Sequence, residues 1–261
     1  MVQTVDALRD IGCSKATWFV DEYGYRLSEV HPQLIHLMAK HGEIAIHAHL
    51  NVPPTGTRSR ILGSRETIER QIVSARDRLS RLCGDSHVTI QSIRSGAFLT
   101  NRTFFESVIG TGLKCDSSIE AFHSRHTMSW IQRFNRGILN PIGIKFNDIQ
   151  IVKPGTQPFY LTEYCGGSSC LEFPVHVFTR LRRKGFTVKE LVLDQIQAMQ
   201  TISDEPVLTC CTHPFEFLEK HGGSAFYTEF VTAFKDMDRI RRISFKTLSE
   251  VYSERSRCDI D

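Results

Sequence analysis

The sequence predicts an α/β barrel, and three observations indicate it. Short apolar runs alternate with helical segments along the chain, which is typical of a parallel sheet with crossover helices. The runs are almost continuously apolar, as strands buried on both faces are. Seven strand-like runs in 261 residues suit a single α/β barrel. We therefore expect one domain over 1–261, with about seven parallel strands in a closed or nearly closed barrel.

The predicted strands are β-rich apolar runs bounded by Gly, Pro or polar residues. In chain order they are residues 16–20, 43–49, 87–93, 113–115, 170–175, 206–212 and 243–245. The predicted helices have apolar residues at helical spacing or a capping residue at one end. They are residues 2–11, 31–41, 65–83, 102–109, 188–202, 226–237 and a segment from 247. We expect loops at 21–28 and 51–63, and a long irregular segment at 119–167.

Charge and composition exclude several classes of partner. The net charge is +3 with both signs mixed along the chain, which argues against a nucleic-acid or membrane surface. Asp6, Arg9 and Asp10 interrupt the first turns, so we predict no signal peptide and a cytoplasmic protein. The eight cysteines have no CxxC spacing, which favours a reducing compartment. The oligomeric state is not readable from these features.

The stretch EIAIHAHLN predicts a strand that ends in two histidines. Alternate side chains share one face of a strand, so His47 and His49 point the same way, and Asn51 joins them if the strand continues. Neutral imidazoles are common ligands of zinc and similar ions. The pair therefore favours a metal site, although one buried core histidine and one loop histidine would give the same pattern.

Polar residues follow five of the predicted strands. In an α/β barrel the carboxyl ends of the strands share one rim, where active sites lie. A single charged residue after a strand is commonly a turn former or a helix cap, but these types together suit metal-assisted hydrolysis. The rim residues are Asp21, the His47–His49 pair, Arg94, Asp116 and His213.

The order of several segments resembles the NodB-like polysaccharide deacetylases, which are carbohydrate esterases of family 4. The segments are ATWFVDEYG, HPQLIHLMAKHGEIAIHAHLN, SIRSGAF, KCDSSI, CLEFPV, THPFEF and ISFKTLSEV, and they extend over roughly 5–251. The resemblance implies a distorted (β/α) barrel that removes acetyl or related acyl groups from a carbohydrate. It also implies a divalent metal, usually zinc, which polarises the acyl carbonyl and activates water.

The resemblance also assigns expected roles to single residues. His47 matches the first metal histidine, while His49 and Asn51 compete for the second position. Arg94 matches the arginine that orients a catalytic carboxylate, and His213 matches the general acid. The remaining matches are Asp116, in the segment that ties this network together, and Leu171, Phe173 and Pro174, in the apolar wall of the substrate pocket.

One departure from the family pattern leaves alternatives open. The family's first motif is a strand ending in paired aspartates before the first helix, and this chain has no counterpart, so we expect an N-terminally truncated domain. Asp21 and Glu22 could approach the metal instead. The alternatives are a degenerate barrel that binds glycans or regulates, and an amidohydrolase-like enzyme, which also uses an HxH strand.

Overall fold

The structure is a computed structural model that describes residues 1–50, 63–84, 88–98, 100–121, 152–161, 170–199, 206–240 and 243–258. Its helices are α1 (Val2–Asp10), α2 (Glu22–Val30), α3 (Gln33–Lys40), α4 (Arg65–Cys83), α5 (Arg102–Gly110), α6 (Val188–Met199), α7 (Gly223–Ile240) and α8 (Leu248–Cys258). Its strands are β1 (Ala16–Val20), β2 (Gly42–Ala48), β3 (Ser92–Ser95), β4 (Cys115–Asp116), β5 (Phe159–Tyr160), β6 (Leu171–Glu172), β7 (Val177–Phe178) and β8 (Cys210–Cys211). Helices alternate with strands, as the sequence predicted.

The sheet is almost entirely parallel. Its main part has the order β1-β2-β3-β4-β6-β5, in which only β5 is antiparallel to its neighbour. A bridge between Glu120 and Val175 continues the pairing beyond β6, and β7 then pairs in parallel with β8. The described strands therefore form a six-stranded sheet that begins at β1 and a second, two-stranded sheet of β7 and β8.

The sheet curls, but it does not close among the described residues. Arg94 of β3 reaches Cys211 of β8 with a hydrogen bond of 2.8 Å between Nη1 and Sγ. Residues of β1 and β8 line one cavity of about 2260 Å³. The fold is thus an α/β arrangement of two mostly parallel sheets, and among the described residues the predicted barrel does not close between β1 and β8.

The strand register separates two faces. Ile46 pairs with Ile93, Ile93 with Asp116, and Asp116 with Glu172, so these side chains share the face covered by α3, α4 and α5. His47 pairs with Arg94, and both point to the opposite, concave face. The apolar side chains of the outer face form the largest core cluster of the molecule.

The loop predicted at 21–28 is wrong, because α2 occupies most of it. Asp21 caps this helix by accepting a hydrogen bond of 2.8 Å from the Gly24 amide, and Tyr25 is buried beneath it. A Cβ on Gly24 would come 2.7 Å from Val20 Cγ1, so glycine permits the tight turn from β1 into the helix. Tertiary burial of Tyr25 outweighs the polar, Gly-containing sequence.

Three strand predictions also need correction. Residues 243–245 form no strand in the described part of the chain, because they border the cavity and have no neighbouring strand to pair with. The strand predicted at 87–93 lies at Ser92–Ser95, so Arg94 is inside it. Asp116 likewise belongs to β4 and does not follow it, and the segment predicted as irregular contains β5.

None of the described helices combines the length and the apolar character that a membrane span requires.

Candidate active site

Three strand ends bring cationic and imidazole side chains to one cavity. His47 comes from β2, Arg94 from β3, and His213 follows β8 by two residues. All three line the cavity between the two ends of the sheet, together with His49 and Asp21. The rim arrangement that the sequence predicted is therefore present for these five residues.

His47 and His49 are direct neighbours. Their ring centroids lie 4.9 Å apart, with the ring planes almost perpendicular. Burial lowers the pKa of His47 to about 3, with further contributions from His49, Arg94 and His213. The ring of His47 is therefore neutral at physiological pH. Its Nδ1 atom is buried and has no hydrogen-bond partner among the described residues.

Gly96 makes room for the His49 ring. A Cβ on this residue would lie 2.2 Å from His49 Nδ1, far inside van der Waals contact. The glycine of the RSG segment is thus required by the close approach of an imidazole to the backbone after β3. The sequence analysis noted the RSG segment as part of a family motif, and the contact with His49 explains why its third residue is glycine.

Arg94 is buried and links three parts of the sheet. Nε donates to the Ser117 carbonyl at 2.9 Å, Nη2 to Ser117 Oγ at 2.8 Å, and Nη1 to Cys211 Sγ. The guanidinium also lies 4.1 Å from the centroid of the Phe19 ring on β1. No carboxylate among the described residues hydrogen-bonds to it, so the orienting role expected of Arg94 stays a prediction.

The DSS segment holds Arg94 in place. Asp116 Oδ1 accepts hydrogen bonds from the Ser117 amide at 2.9 Å and from Ser118 Oγ at 2.5 Å. Ser118 Oγ in turn accepts from the Ser95 amide at 2.8 Å. Ser117, fixed in this way, presents its carbonyl and hydroxyl to the guanidinium. Asp116 thus acts on the site through two serines.

The structure does not bring the Asp116 carboxyl to the histidines. Asp116 faces the helix side of the sheet, where it pairs with Glu172, and both side chains are fully buried. Burial raises the pKa of each, and the neighbouring carboxyl raises the pKa of Glu172 further. Oδ2 of Asp116 and Oε2 of Glu172 have no hydrogen-bond partner among the described residues, and a proton shared by the two carboxyls would satisfy both.

His213 packs against two aromatic rings and lies close to an acidic side chain. Its ring lies 4.9 Å from the Phe215 ring and 5.4 Å from the Phe178 ring, measured between centroids. Glu216 Oε2 accepts from the His213 amide at 2.9 Å and from Thr179 Oγ1 at 2.7 Å, and lies 3.5 Å from His213 Nδ1. Burial works to raise the pKa of Glu216, but these hydrogen bonds outweigh it and lower the pKa.

Glu216 is a functional candidate that the sequence reasoning missed. It lies three residues after His213 at the start of a short 3₁₀ helix, the position from which an acid reaches back in a capping box. The three-residue spacing between His213 and Glu216 is the feature of the sequence that could have indicated this contact. Its carboxylate can hold the imidazole in one orientation and stabilise its protonated form.

Of the three residues expected in the apolar wall of the substrate pocket, one borders the cavity. Phe173 lines it, and the main-chain carbonyl of Phe173 accepts a hydrogen bond of 2.9 Å from Ser117 Oγ. Leu171 packs against Cys115 and Leu248 in a small buried cluster, and Pro174 is buried. Asp21 borders the cavity, and its Oδ1 accepts the hydrogen bond that caps α2. Asn51 lies outside the described residues.

The described residues supply only part of a metal site. The unpartnered Nδ1 of His47 and the adjacent ring of His49 offer two imidazole nitrogens of the type that binds zinc. Within residues 1–50 and the other described ranges, however, no three His, Cys, Asp or Glu side chains are grouped to hold an ion. The fit is therefore incomplete, because the carboxylate that should face the histidines is not among these residues.

Comparison with solved structures identifies the fold. A protein assigned as a polysaccharide deacetylase from Mycobacterium smegmatis superposes with a TM-score of 0.61 at 18% identity, covering 97% of this chain and 75% of that one. The 4-alpha-glucanotransferase of Thermococcus litoralis gives 0.57 at 12% identity, covering 97% and 35%. A family 4 acetyl xylan esterase from Clostridium thermocellum, bound to cobalt, gives 0.49 at 15% identity, covering 98% and 84%. No protein-family profile and no curated protein matches the sequence.

The likeness to the Mycobacterium smegmatis protein confirms the NodB-type fold that the sequence predicted. The identities are too low to carry more than the fold, and one structural neighbour is a glucanotransferase.

Proposed function

We propose that this chain is a deacetylase-like hydrolase that removes an acyl group from a carbohydrate. The observation that carries the proposal is the meeting of His47, His49 and His213 around Arg94 at one cavity of a NodB-type fold. A pair of adjacent imidazoles, a separate imidazole beside a carboxylate and a buried cation are groups that acyl hydrolysis can use.

His213 is proposed as the proton donor to the leaving group. Its side chain is 31% exposed, so it reaches substrate, and Glu216 can stabilise the imidazolium through Nδ1. Nε2 is then the atom that gives the proton. Phe178 and Phe215 flank the ring and limit the access of water to it.

His47 and His49 are proposed to hold a divalent metal, with zinc the first choice. When bound, such an ion supplies Lewis-acid polarisation of the acyl carbonyl. The two histidines contribute nitrogen ligands, and Gly96 and the β2 strand fix their rings.

Zinc content and acetate release test the proposal together. The full chain, reconstituted with zinc, should bind one ion and release acetate from N-acetylated or O-acetylated oligosaccharides. His47→Ala should abolish zinc binding, and His213→Gln should keep zinc and lower kcat by about 10²–10⁴-fold. His36→Ala, which changes an exposed histidine on α3, is the matched control. Unchanged zinc stoichiometry in His47→Ala would remove His47 from the site.

A second candidate is glycan binding without hydrolysis. It is favoured by one observation: no carboxylate among the described residues contacts Arg94 or completes the histidine pair. This candidate predicts retention of acetylated oligosaccharides by the zinc-treated chain with no release of acetate. Release of acetate that depends on His213 would exclude it.

A further inference from the structure

A strongly basic segment directly follows β7. The short 3₁₀ helix Thr179–Lys184 has the sequence TRLRRK, in which four residues are cationic and none is acidic. Because β7 pairs in parallel with β8, the carboxyl ends of both strands lie side by side, and His213 follows β8 there. The basic segment therefore begins beside the candidate active site, where its charge can act on a bound ligand.

The main chain on both sides of Arg180 is held in place. Thr179 is fully buried, and its Oγ1 donates to Glu216 Oε2 at 2.7 Å and to the Cys211 carbonyl at 3.2 Å. Leu181 is buried in the second apolar cluster of the molecule. Arg180, between these two anchors, is exposed. Its side chain therefore projects from a fixed point of the backbone.

The Arg180 side chain borders the same cavity as His213. Its Cζ atom lies 5.9 Å from the centroid of the Phe215 ring, a distance at which a guanidinium and an aromatic ring attract each other. The other contact of the Phe215 ring is the imidazole of His213, with 4.9 Å between the centroids. Because both side chains contact one ring, a group bound by Arg180 belongs to the sugar whose leaving group His213 protonates, or to its direct neighbour.

The charge of Arg180 is available to a ligand. Among the described residues no carboxylate forms an ion pair with it and no group hydrogen-bonds to its guanidinium. Two other cations that border the cavity are paired, Lys15 with Glu250 and Lys246 with Glu254, each at 2.6 Å. An anion that enters the cavity on the side of β7 therefore meets an unpaired guanidinium.

Glu216, the acid beside this segment, does not neutralise Arg180. Its side chain is buried, and Oε2 accepts hydrogen bonds from Thr179 Oγ1 and from the His213 amide. The same oxygen lies 3.5 Å from His213 Nδ1, so the carboxylate is directed to the imidazole. The negative charge of Glu216 is thus matched to His213, and a separate anion is needed to pair with Arg180.

We propose that Arg180 selects an anionic carbohydrate by binding a carboxylate on, or next to, the sugar that loses its acyl group. A guanidinium presents paired donors that match the two oxygens of a carboxylate. The inference rests on the proposed function, because it names the class of substrate for the same site. The other basic residues of 179–184 add to the positive potential at this side of the cavity.

Titration calorimetry of the full chain with two matched hexasaccharides tests the proposal. One is the hyaluronan hexasaccharide, which alternates N-acetylglucosamine with glucuronate, and the other is the same molecule with each carboxyl reduced to an alcohol. EDTA is present, so that no metal ion attracts the carboxylates. We expect the acidic form to bind about tenfold more tightly at low salt, and the difference to shrink in about 0.5 M NaCl.

Three variants show whether this preference comes from Arg180. Arg180→Gln should bind the acidic form no more tightly than the neutral one, with its affinity for the neutral form unchanged. Arg180→Lys should keep part of the preference, because it keeps the charge but not the paired donors. Arg102→Gln is the matched control, since it removes an exposed cation on α5 that pairs with Glu106 and does not border the cavity. It should keep the full preference.

Several results would overturn the proposal. They are equal affinity for both hexasaccharides, no binding of either at millimolar concentration, and an unchanged preference in Arg180→Gln. Tighter binding of a hexathymidylate than of the acidic hexasaccharide would assign the basic segment to nucleic acid instead. Arg180-dependent binding without acetate release would support the role of Arg180 and contradict only the proposed hydrolysis. Equally fast acetate release from both hexasaccharides would contradict only the role of Arg180.

Discussion

Gly96 lies against the His49 imidazole, and its missing side chain can be tested directly. Gly96→Ala would place a Cβ 2.2 Å from His49 Nδ1 and force the ring away from His47. We expect a loss of about 1–3 kcal/mol in the free energy of unfolding, as for overpacked sites, and a changed NMR shift of the His49 ring. Denaturant unfolding and histidine NMR provide the two measurements.

Gly110→Ala is the matched control for that variant. Its Cβ would meet the end of the flexible Glu69 side chain, which can move aside, and the residue lies within α5. Alanine is favoured over glycine in a helix by up to about 1 kcal/mol, so stability should stay equal or rise. An equal loss in both variants would show that the His49 contact is not the cause.

The Asp116–Glu172 pair predicts a specific dependence of stability on pH. Burial raises the pKa of both carboxyls above their unfolded values of roughly 4. A carboxyl whose pKa is raised in the folded state contributes stability that is fully present below its pKa in the unfolded state. This stability is lost as the pH rises through its pKa in the folded state. Glu172→Gln keeps the acceptor for the Ile119 amide and removes one ionisation. The free energy of unfolding should therefore fall less between pH 4 and pH 8 in the variant.

Asp236→Asn is the comparison for this titration. Asp236 is solvent-facing, and its hydrogen bond with Lys189 lowers the pKa of its carboxyl. Any stability that the Asp236 carboxylate contributes is lost only as the pH falls below the usual carboxyl range. Above pH 5, the free energy of unfolding should therefore change with pH in Asp236→Asn as it does in the unsubstituted protein. If Glu172→Gln leaves this dependence on pH unchanged as well, the shared proton is contradicted.

At the scale of one element, Asp21 has two possible roles that two variants can separate. Asp21→Ala removes the cap of α2 and should cost about 1 kcal/mol of unfolding free energy. Asp21→Asn keeps an oxygen that can accept from the Gly24 amide, so its stability should stay within a few tenths of a kcal/mol. Zinc binding should be unchanged in Asp21→Asn if Asp21 is only a cap. Lost zinc at unchanged stability would make it a ligand.

The accuracy of the element predictions followed the length and regularity of each pattern. α4 repeats its apolar residues over 19 residues and begins at a serine cap, so its position was readable. α2 has a polar, Gly-containing sequence, and burial of Tyr25 was needed to make it a helix. The segment 243–245 has the composition of a strand, but a strand exists only where a neighbour supplies hydrogen bonds.

At the scale of the whole molecule, Arg94 links the six-stranded sheet to the two-stranded sheet. It bonds to Ser117 after β4 and to Cys211 of β8, and packs on Phe19 of β1. Arg94→Lys keeps the charge but cannot reproduce the planar set of donors. We expect a loss of about 1–3 kcal/mol in unfolding free energy, measured in urea. Arg65→Lys, an exposed helix pair with Glu69, should change stability by less than about 0.5 kcal/mol.

The sequence by itself determined the alternation of helices and strands, the parallel sheet and the gathering of Asp21, His47, Arg94 and His213 at one rim. These follow from periodicity and from strand ends, which are local properties of the chain. The tertiary structure decided which face each side chain occupies. Asp116 lies on the helix side because its register with Ile93 and Glu172 places it there.

The open cleft between β1 and β8 is likewise a property of the assembled sheet. Which strands become neighbours depends on the curvature of the whole sheet and on contacts between residues far apart in sequence, such as Arg94 with Cys211. The same holds for the close approach of Gly96 to His49 and of Glu216 to His213. Such contacts are set by packing in three dimensions, which no local pattern of residues encodes.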